Sequence, residues 1–288
     1  MIFITGASGN VGSEVLKQAS AAGLKLRAGY QSQEKARLAP PGAETAVIDF
    51  ARPETLRAAF HGVEKLFLVG PPNASLPELE AKAVKEAQNA GVPHIVKLSA
   101  LGGRGSVFPG LHAQSEDQIR SSGLRYTFLR PNGFMQNFVN YSGESIRSSS
   151  AFFGSLGQGA VSHIDIRDVA AAAVVVLSTS GHEGNAYALT GPEALTQAQI
   201  AAILSRILGR NIEYVDLPSE KLKQGMLQAG VPEWSANALL DLERFYREGR
   251  ASQVEPTVQQ LTGRPPQTFE QFARDYAAAF RDQRQSAS

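Results

Sequence analysis

Three glycines, Gly6, Gly9 and Gly12, stand at three-residue intervals after an apolar run from Ile2 to Ile4. Residues Val11 to Ala22 then carry a helical repeat, with Val11, Val15, Leu16 and Ala19 on one face. A strand, a tight turn and a helix N-terminus in this order make an anion site. Free backbone N–H groups and the positive end of the helix dipole converge there. Gly6 permits the turn, Gly9 lets the backbone approach a pyrophosphate, and Gly12 lets the helix pack against the strand. Ser8, Asn10 and Val11 complete a turn that reads as dinucleotide-binding.

The type of nucleotide is read at the end of the next apolar run, where an NAD site usually carries a carboxylate. Here that stretch is Gly29-Tyr30-Gln31-Ser32, and the first acid, Glu34, is flanked by Lys35 and Arg37. A 2′-phosphate would meet little repulsion and Lys35 could reach it, so NADPH is expected to bind at least as well as NADH. Lys35 and Arg37 read equally well as solvated helix residues. In Val47-Ile48-Asp49-Phe50, the Asp49 carboxylate suits either the adenine amino group or a turn before Pro53. The segment Val69-Gly70-Pro71-Pro72 leaves its strand without entering a helix at once. It either runs along the ribose of the cofactor or forms a plain turn.

The elements that must position these residues alternate. Strands are expected at Leu24 to Tyr30, Glu44 to Phe50, Lys65 to Gly70, His94 to Ala100 and Tyr126 to Arg130. Helices are expected at Pro53 to Phe60, Leu76 to Ala90 and His112 to Ser121. This spacing predicts an α/β fold, a Rossmann-type doubly wound parallel sheet. Past Pro131 the pattern loosens. Gly133 to Ile146 suits a helix, Ser148 to Gly159 a loop, Ile166 to Leu177 a buried helix, Thr196 to Leu208 an amphipathic helix, and Ile212 to Leu217 a strand. Ser219 to Phe280 reads as mainly helical and Asp282 to Ser288 as a polar, frayed tail. The 288 residues therefore read as one domain: residues 1–131 form the core and residues 132–288 mostly a smaller substrate lobe, with some segments returning to the core.

Composition narrows the classes. The chain is 43% hydrophobic, carries a net charge of +1 and has no cysteine. Disulfides and thiolate chemistry are excluded, and nothing favours a nucleic-acid or membrane partner. No apolar run is long enough to span a bilayer, and the N-terminus enters a strand at once. A cytoplasmic monomer or homodimer acting on a small molecule is expected. His61, His94, His163 and His182 lack metal-ligand partners at helical spacing, so no metal site is expected.

Several segments together resemble the NmrA-like family of atypical short-chain dehydrogenase/reductases. They are Gly6-Ala7-Ser8-Gly9-Asn10-Val11-Gly12, Val47-Ile48-Asp49-Phe50, Ser122 to Asn137 and Ile164-Asp165-Ile166-Arg167-Asp168. The resemblance spans essentially the whole chain. Its nearest flavour is the bacterial branch of NAD(P)H:quinone reductases and triphenylmethane dye reductases, to which Ala229 to Pro232 and Leu261 to Pro265 are also similar. The resemblance implies that the glycine turn holds the pyrophosphate, and that Gln31, Ser32 and Lys35 meet the adenosine ribose or its phosphate. It implies that Asp49 and Phe50 border the adenine, and that Ser99, Ala100, Leu101, Asn132, Gly133 and Phe134 border the nicotinamide. It also exposes a departure. The Tyr-xxx-Lys pair of short-chain dehydrogenases corresponds by spacing to Phe108 and His112, and both catalytic types are missing.

Reduction without that tyrosine suits some acceptors better than others. An isolated ketone becomes a strongly basic alkoxide, so an acid at its oxygen matters greatly. A quinone becomes a delocalised phenolate with a pKa of about 10, and a cationic dye is simply neutralised. An NAD(P)H-dependent reductase of quinone-like or other conjugated acceptors is therefore expected. Phe108, Met135 and Phe138 are candidates for a flat pocket, with core packing open for Phe138. Trp234 is either a lid or core. His112 is the titratable candidate beside the nicotinamide, with a surface cap as the alternative. Two other classes stay open: a dinucleotide sensor without turnover, and an enone or imine reductase.

Overall fold

The computed structural model describes residues 1–281; the expected polar tail lies outside the described residues. Six strands and their connections fill the first part. β1 (Ile2–Ile4) leads to α1 (Asn10–Ala21), β2 (Leu26–Tyr30) to α2 (Gln33–Ala36), and β3 (Glu44–Val47) to α3 (Pro53–Phe60). β4 (Lys65–Leu68) leads to α4 (Leu76–Asn89), and β5 (His94–Leu98) to α5 (Val107–Ser121), which precedes β6 (Arg125–Pro131). Then follow α6 (Gln136–Asn140), α7 (Gly143–Ser149), β7 (Ala151–Gly154), β8 (Ala160–Val161) and α8 (Ile166–Ser178). Next are β9 (Ala186–Leu189), β10 (Leu195–Thr196), α9 (Gln197–Leu208) and β11 (Glu213–Asp216). The last helices are α10 (Ser219–Gln228), α11 (Glu233–Arg247), α12 (Thr257–Thr262), α13 (Phe269–Asp275) and α14 (Ala277–Phe280).

The main sheet has seven parallel strands in the order β3-β2-β1-β4-β5-β6-β9. The order reverses between β1 and β4, and Ile4 pairs with Ala28 on one side and Phe67 on the other. That reversal is a switch point, where ligands of such sheets bind beyond the carboxyl ends of the strands. Each face is covered. Ile4, Val15, Leu16, Val169, Ala173 and Val176 form one core, between the sheet and α1 and α8. Phe3, Leu56, Phe60, Leu66, Val84 and Ile119 form the other, against α3, α4 and α5. A third core, including Ile146, Phe152, Ile200, Phe269 and Phe272, belongs to the lobe.

Three expectations are corrected. The Ser148 to Gly159 segment is not a loop: it ends α7 and then supplies β7, which pairs in parallel with β11. Serine-rich flanks mask Phe152 and Phe153, and the hydrogen-bonding partner lies sixty residues away. Gly133 to Ile146 forms two short helices rather than one, broken at Tyr141 and Ser142. Helix α5 starts at Val107, five residues before His112. Phe108-Pro109-Gly110 looks like a breaker, but proline fits a first helical turn, where no intrahelical N–H is needed. The free Val107 amide donates instead to Asp241 Oδ2 of α11 at 2.7 Å. Three expected strands, β3, β4 and β5, also end two or three residues early, because the chain turns outward at the carboxyl edge to form the site.

Candidate nucleotide and acceptor site

The switch point is held together by one side chain. Thr5 Oγ1 donates to the Val69 carbonyl at 3.0 Å and accepts the Val69 amide at 2.7 Å. Gly6 follows with φ +61°, and a methyl group on Gly12 would stand 2.1 Å from the Gly6 oxygen. Only glycine allows that crossing of helix and turn. Gly9 differs. It caps α1 with ordinary extended backbone and no side-chain cap bond, and a methyl group there would meet only the Gly6 oxygen, at 3.3 Å. Ser8, Gly9 and Asn10 are exposed, whereas Val11 and Gly12 are buried. The first turn of α1 contains no acid. The Gly9 amide is taken by the Gly6 carbonyl at 2.9 Å, while the amides of Asn10, Val11 and Gly12 at the helix start have no backbone partner, and this open cradle fits a pyrophosphate.

At the adenosine end, Ser32 caps α2 by accepting the Lys35 amide, and Lys35 Nζ lies 3.5 Å from Gln31 Oε1. Gln31 and Lys35 are exposed. Asp49 adopts the turn role left open by the sequence. Oδ1 accepts the Ala51 amide at 2.8 Å and Oδ2 meets Arg52 at 3.1 Å. The Ala51 amide holds its carboxyl below the ordinary range. Phe50 is half-buried against the α3–α4 core. Between the two ends, Val69, Gly70 and Pro71 are half-buried. The Gly70 amide donates to Glu80 Oε1 at 3.1 Å, and the other Glu80 oxygen takes Lys97 Nζ at 2.5 Å.

Beyond β5 and β6, Ser99 Oγ donates to Glu116 Oε1 at 2.6 Å, and Arg130 grips Glu116 through two nitrogens. Burial pushes the Glu116 carboxyl up, but the bonds from Arg130 and Ser99 outweigh it and hold it below the ordinary value. Ala100 and Phe134 are half-buried and available. Asn132 is spent inside the protein: its amide donates to Ser162 Oγ and to the Ala251 carbonyl, both at 2.8 Å, and its Oδ1 accepts the Gly133 amide at 2.9 Å.

The pocket residues divide. Phe108 meets Trp234 edge-on, with ring centres 5.6 Å apart. Both are half-buried, and α11 thus reaches over the carboxyl edge of the sheet. Met135 and Phe138 do not line a flat slot. They are 1% and 7% exposed and lie in the lobe core. Phe138 is enclosed by Phe152, Phe269 and His163. The reason is the short helix α6, which turns that face inward. His112 is not a surface cap either. It sits in the second turn of α5, and its Nδ1 is buried without a hydrogen-bond partner. Burial, with the Lys97 charge added, holds its imidazole well below the ordinary pKa. It is neutral at neutral pH.

Sequence reasoning missed two groups. Lys97 and Glu80 are one; the signal was a lysine inside the apolar strand Ile95-Val96-Lys97-Leu98. The other is the pair His163 and Tyr246, which approach Gly133 from distant segments and leave no local signal. Among the described residues no helix is long and apolar enough to cross a membrane. Nor do three metal-ligating side chains gather there.

Comparison with known proteins gives the following. The model of the NmrA-like family matches residues 1–273. The chain is 39% identical over 284 residues to the NAD(P)H azoreductase of Xenophilus azovorans, covering 97% of this chain and 99% of the relative. Among solved structures, the NADPH-dependent quinone oxidoreductase of Escherichia coli, complexed with NADPH, superposes with a TM-score of 0.89 at 28% identity, over 96% of this chain and 100% of that one. The Citrobacter sp. triphenylmethane reductase, complexed with NADP(H), gives 0.84 at 31% identity, over 94% and 98%.

Proposed function

The chain belongs to the NmrA-like family and is an NAD(P)H-dependent oxidoreductase, and we propose that its acceptors are quinones, azo compounds and other conjugated molecules that stabilise their own charge. One observation carries this reading. Where a short-chain dehydrogenase would place its acid tyrosine, this chain places Phe108, packed on Trp234. Such an edge can hold a flat aromatic acceptor but gives no acid from that position to an alkoxide. The relatives that act on an azo bond, a quinone and a triphenylmethane dye support the same class.

Bound NADPH supplies hydride; the residues of this chain bind and orient it. Gly6, Ser8, Gly9, Asn10, Val11 and Gly12 take the pyrophosphate. Gln31, Ser32 and Lys35 take the adenosine ribose and its 2′-phosphate, with Asp49 and Phe50 beside the adenine. Val69, Gly70 and Pro71 run along the central ribose. Ser99, Ala100 and Phe134 border the nicotinamide, and Asn132 acts there by fixing the backbone of Gly133. His112, kept neutral, offers a hydrogen bond to the ribose or the acceptor. The partner is a small molecule, and the net charge of +1 gives no steering field for nucleic acid.

The test is NADPH consumption with a naphthoquinone, an azo dye, a triphenylmethane cation and an aliphatic ketone. The conjugated acceptors should be reduced and the ketone should not. Faster turnover of the ketone would overturn the proposal.

A further inference from the structure

Helix α11 is fixed from both sides. Toward the sheet, its Asp241 caps the Val107 amide, and Phe245 lies against Gly102 and Gly105, where added methyl groups would stand 3.0 and 2.8 Å from its ring. Toward the lobe, Glu243 accepts both the amide and the hydroxyl of Ser155 at 2.7 Å, and Arg247 donates to the Ser155 carbonyl. Tyr246 lies between these anchors, and its own carbonyl packs so close to Gly159 that a methyl group there would be at 2.6 Å. Its backbone is therefore held in place, and its side chain extends to the far side.

That direction is toward Gly133, two residues beyond the carboxyl end of β6. A methyl group on Gly133 would stand 3.0 Å from Tyr246 Oη and 3.0 Å from His163 Nδ1. His163 is satisfied on this side, donating to the Gly133 carbonyl at 3.2 Å. The Tyr246 hydroxyl has no hydrogen-bond partner among the described residues. A tyrosine with a packed body ordinarily finds a partner for its hydroxyl. Here that hydroxyl is left without one, beside the residues read above as the nicotinamide border.

We propose that Tyr246 donates the hydrogen bond to the reacting oxygen or nitrogen of the acceptor that position 108 cannot supply. The inference rests on the function proposed above and adds a specificity to it. A quinone oxygen or an azo nitrogen gains negative charge during reduction, and a donor held there stabilises it. A triphenylmethane cation is attacked at carbon and loses charge, so it has no atom for the phenol to serve. Burial, and the nearby Glu243, push the phenol pKa up, so the group stays a donor throughout the working pH range.

The experiment compares the wild type with Tyr246→Phe, using a naphthoquinone and a triphenylmethane cation, with NADPH affinity measured by fluorescence titration. Tyr246→Phe should lower kcat/KM for the naphthoquinone about 10- to 100-fold, as loss of a hydrogen bond to a developing charge requires. Dye reduction, NADPH affinity and melting temperature should stay within about twofold or a few degrees. A naphthoquinone effect below threefold, or an equal loss on both acceptors, overturns the role of Tyr246. A wild type that reduces neither acceptor overturns the acceptor class itself, and the inference with it.

Discussion

Lys97 and Glu80 meet at 2.5 Å in the middle of the molecule, with 0% and 1% of their side chains exposed. The second Glu80 oxygen holds the Gly70 amide, and a methyl group on Gly70 would stand 2.5 Å from Leu76 and 2.7 Å from Glu80. The pair thus joins the floor beneath β5 to the loop placed along the cofactor. Glu80→Ala would leave a buried ammonium without a counter-charge, at a cost of about 3–5 kcal/mol in urea unfolding. Replacing both residues by leucine should recover most of that stability yet weaken NADPH binding, because Gly70 loses its anchor. A Glu80→Ala protein within about 1 kcal/mol of the wild type would mean that water reaches Lys97.

The glycine turn separates folding from binding. A side chain at Gly9 meets almost nothing in the protein, so Gly9→Val should melt within a few degrees of the wild type. It should nevertheless bind neither NADPH nor NADH, since valine fills the space of the pyrophosphate. Gly12→Ala drives its methyl group into the Gly6 oxygen and should lose stability as well. Calorimetric titration and thermal melting together check both variants. The same titration should show NADPH bound at least as tightly as NADH, and Lys35→Glu should reverse any preference for the phosphate.

His112 tests the reacting end. Its Nδ1 has no partner, so truncation removes a buried polar atom as well as packing, and stability should change by about 1 kcal/mol or less. His112→Ala should lower quinone reduction by about 10- to 100-fold if the imidazole meets the acceptor or the ribose. Unchanged kcat/KM would make it a packing residue of α5.

The buried histidines set a pH limit. Burial lowers His94 and His163 from 6.5 to about 4. The unfolded chain therefore binds more protons than the folded one between these values. Their contribution to stability is present above about pH 6.5 and is lost as pH falls toward 4, up to about 3 kcal/mol each. Asp168 acts in the opposite sense, because burial raises its carboxyl to about 6 and protonation then favours the fold. Two histidines against one carboxyl leave a net loss on acidification. His94 bonds Thr127, whose hydroxyl proton already goes to the His182 carbonyl, so the imidazole Nε2 is the donor. His94→Gln, read by denaturation at pH 7 and pH 4.5, should flatten the curve; an unchanged slope would exclude His94 from it.

The nucleotide half was legible because its signals are local. The run from Ile2 to Gly12 contains its own strand, turn and helix start, and the structure keeps each in place. The acceptor end was legible only in part. Phe108 and Trp234 were found separately, but their contact needs α11 folded over the sheet. Met135 and Phe138 were assigned to the pocket from residue type alone, and the turn of α6 buries them. Tyr246 lies more than a hundred residues from Gly133, so no periodicity or motif links them. Strand β9 escaped for another reason. Ala186-Tyr187-Ala188-Leu189 has weak strand character by itself and is held by the waiting edge of β6.

That waiting edge constrains how the protein can be made. When residues 1–131 have left the ribosome, β6 presents a bare row of amides and carbonyls until Leu189 arrives to pair with Pro131. The anchor for Lys65 is missing until α8 is made, since its ammonium donates to the carbonyls of Val176 and Thr179 at the end of that helix. During synthesis the half that carries the glycine turn is thus sticky and incomplete, and it matures only once the excursion through α8 has come back to it. A fragment ending at residue 131 should aggregate rather than fold, and a stall in translation between residues 131 and 189 should be more damaging than one after 189.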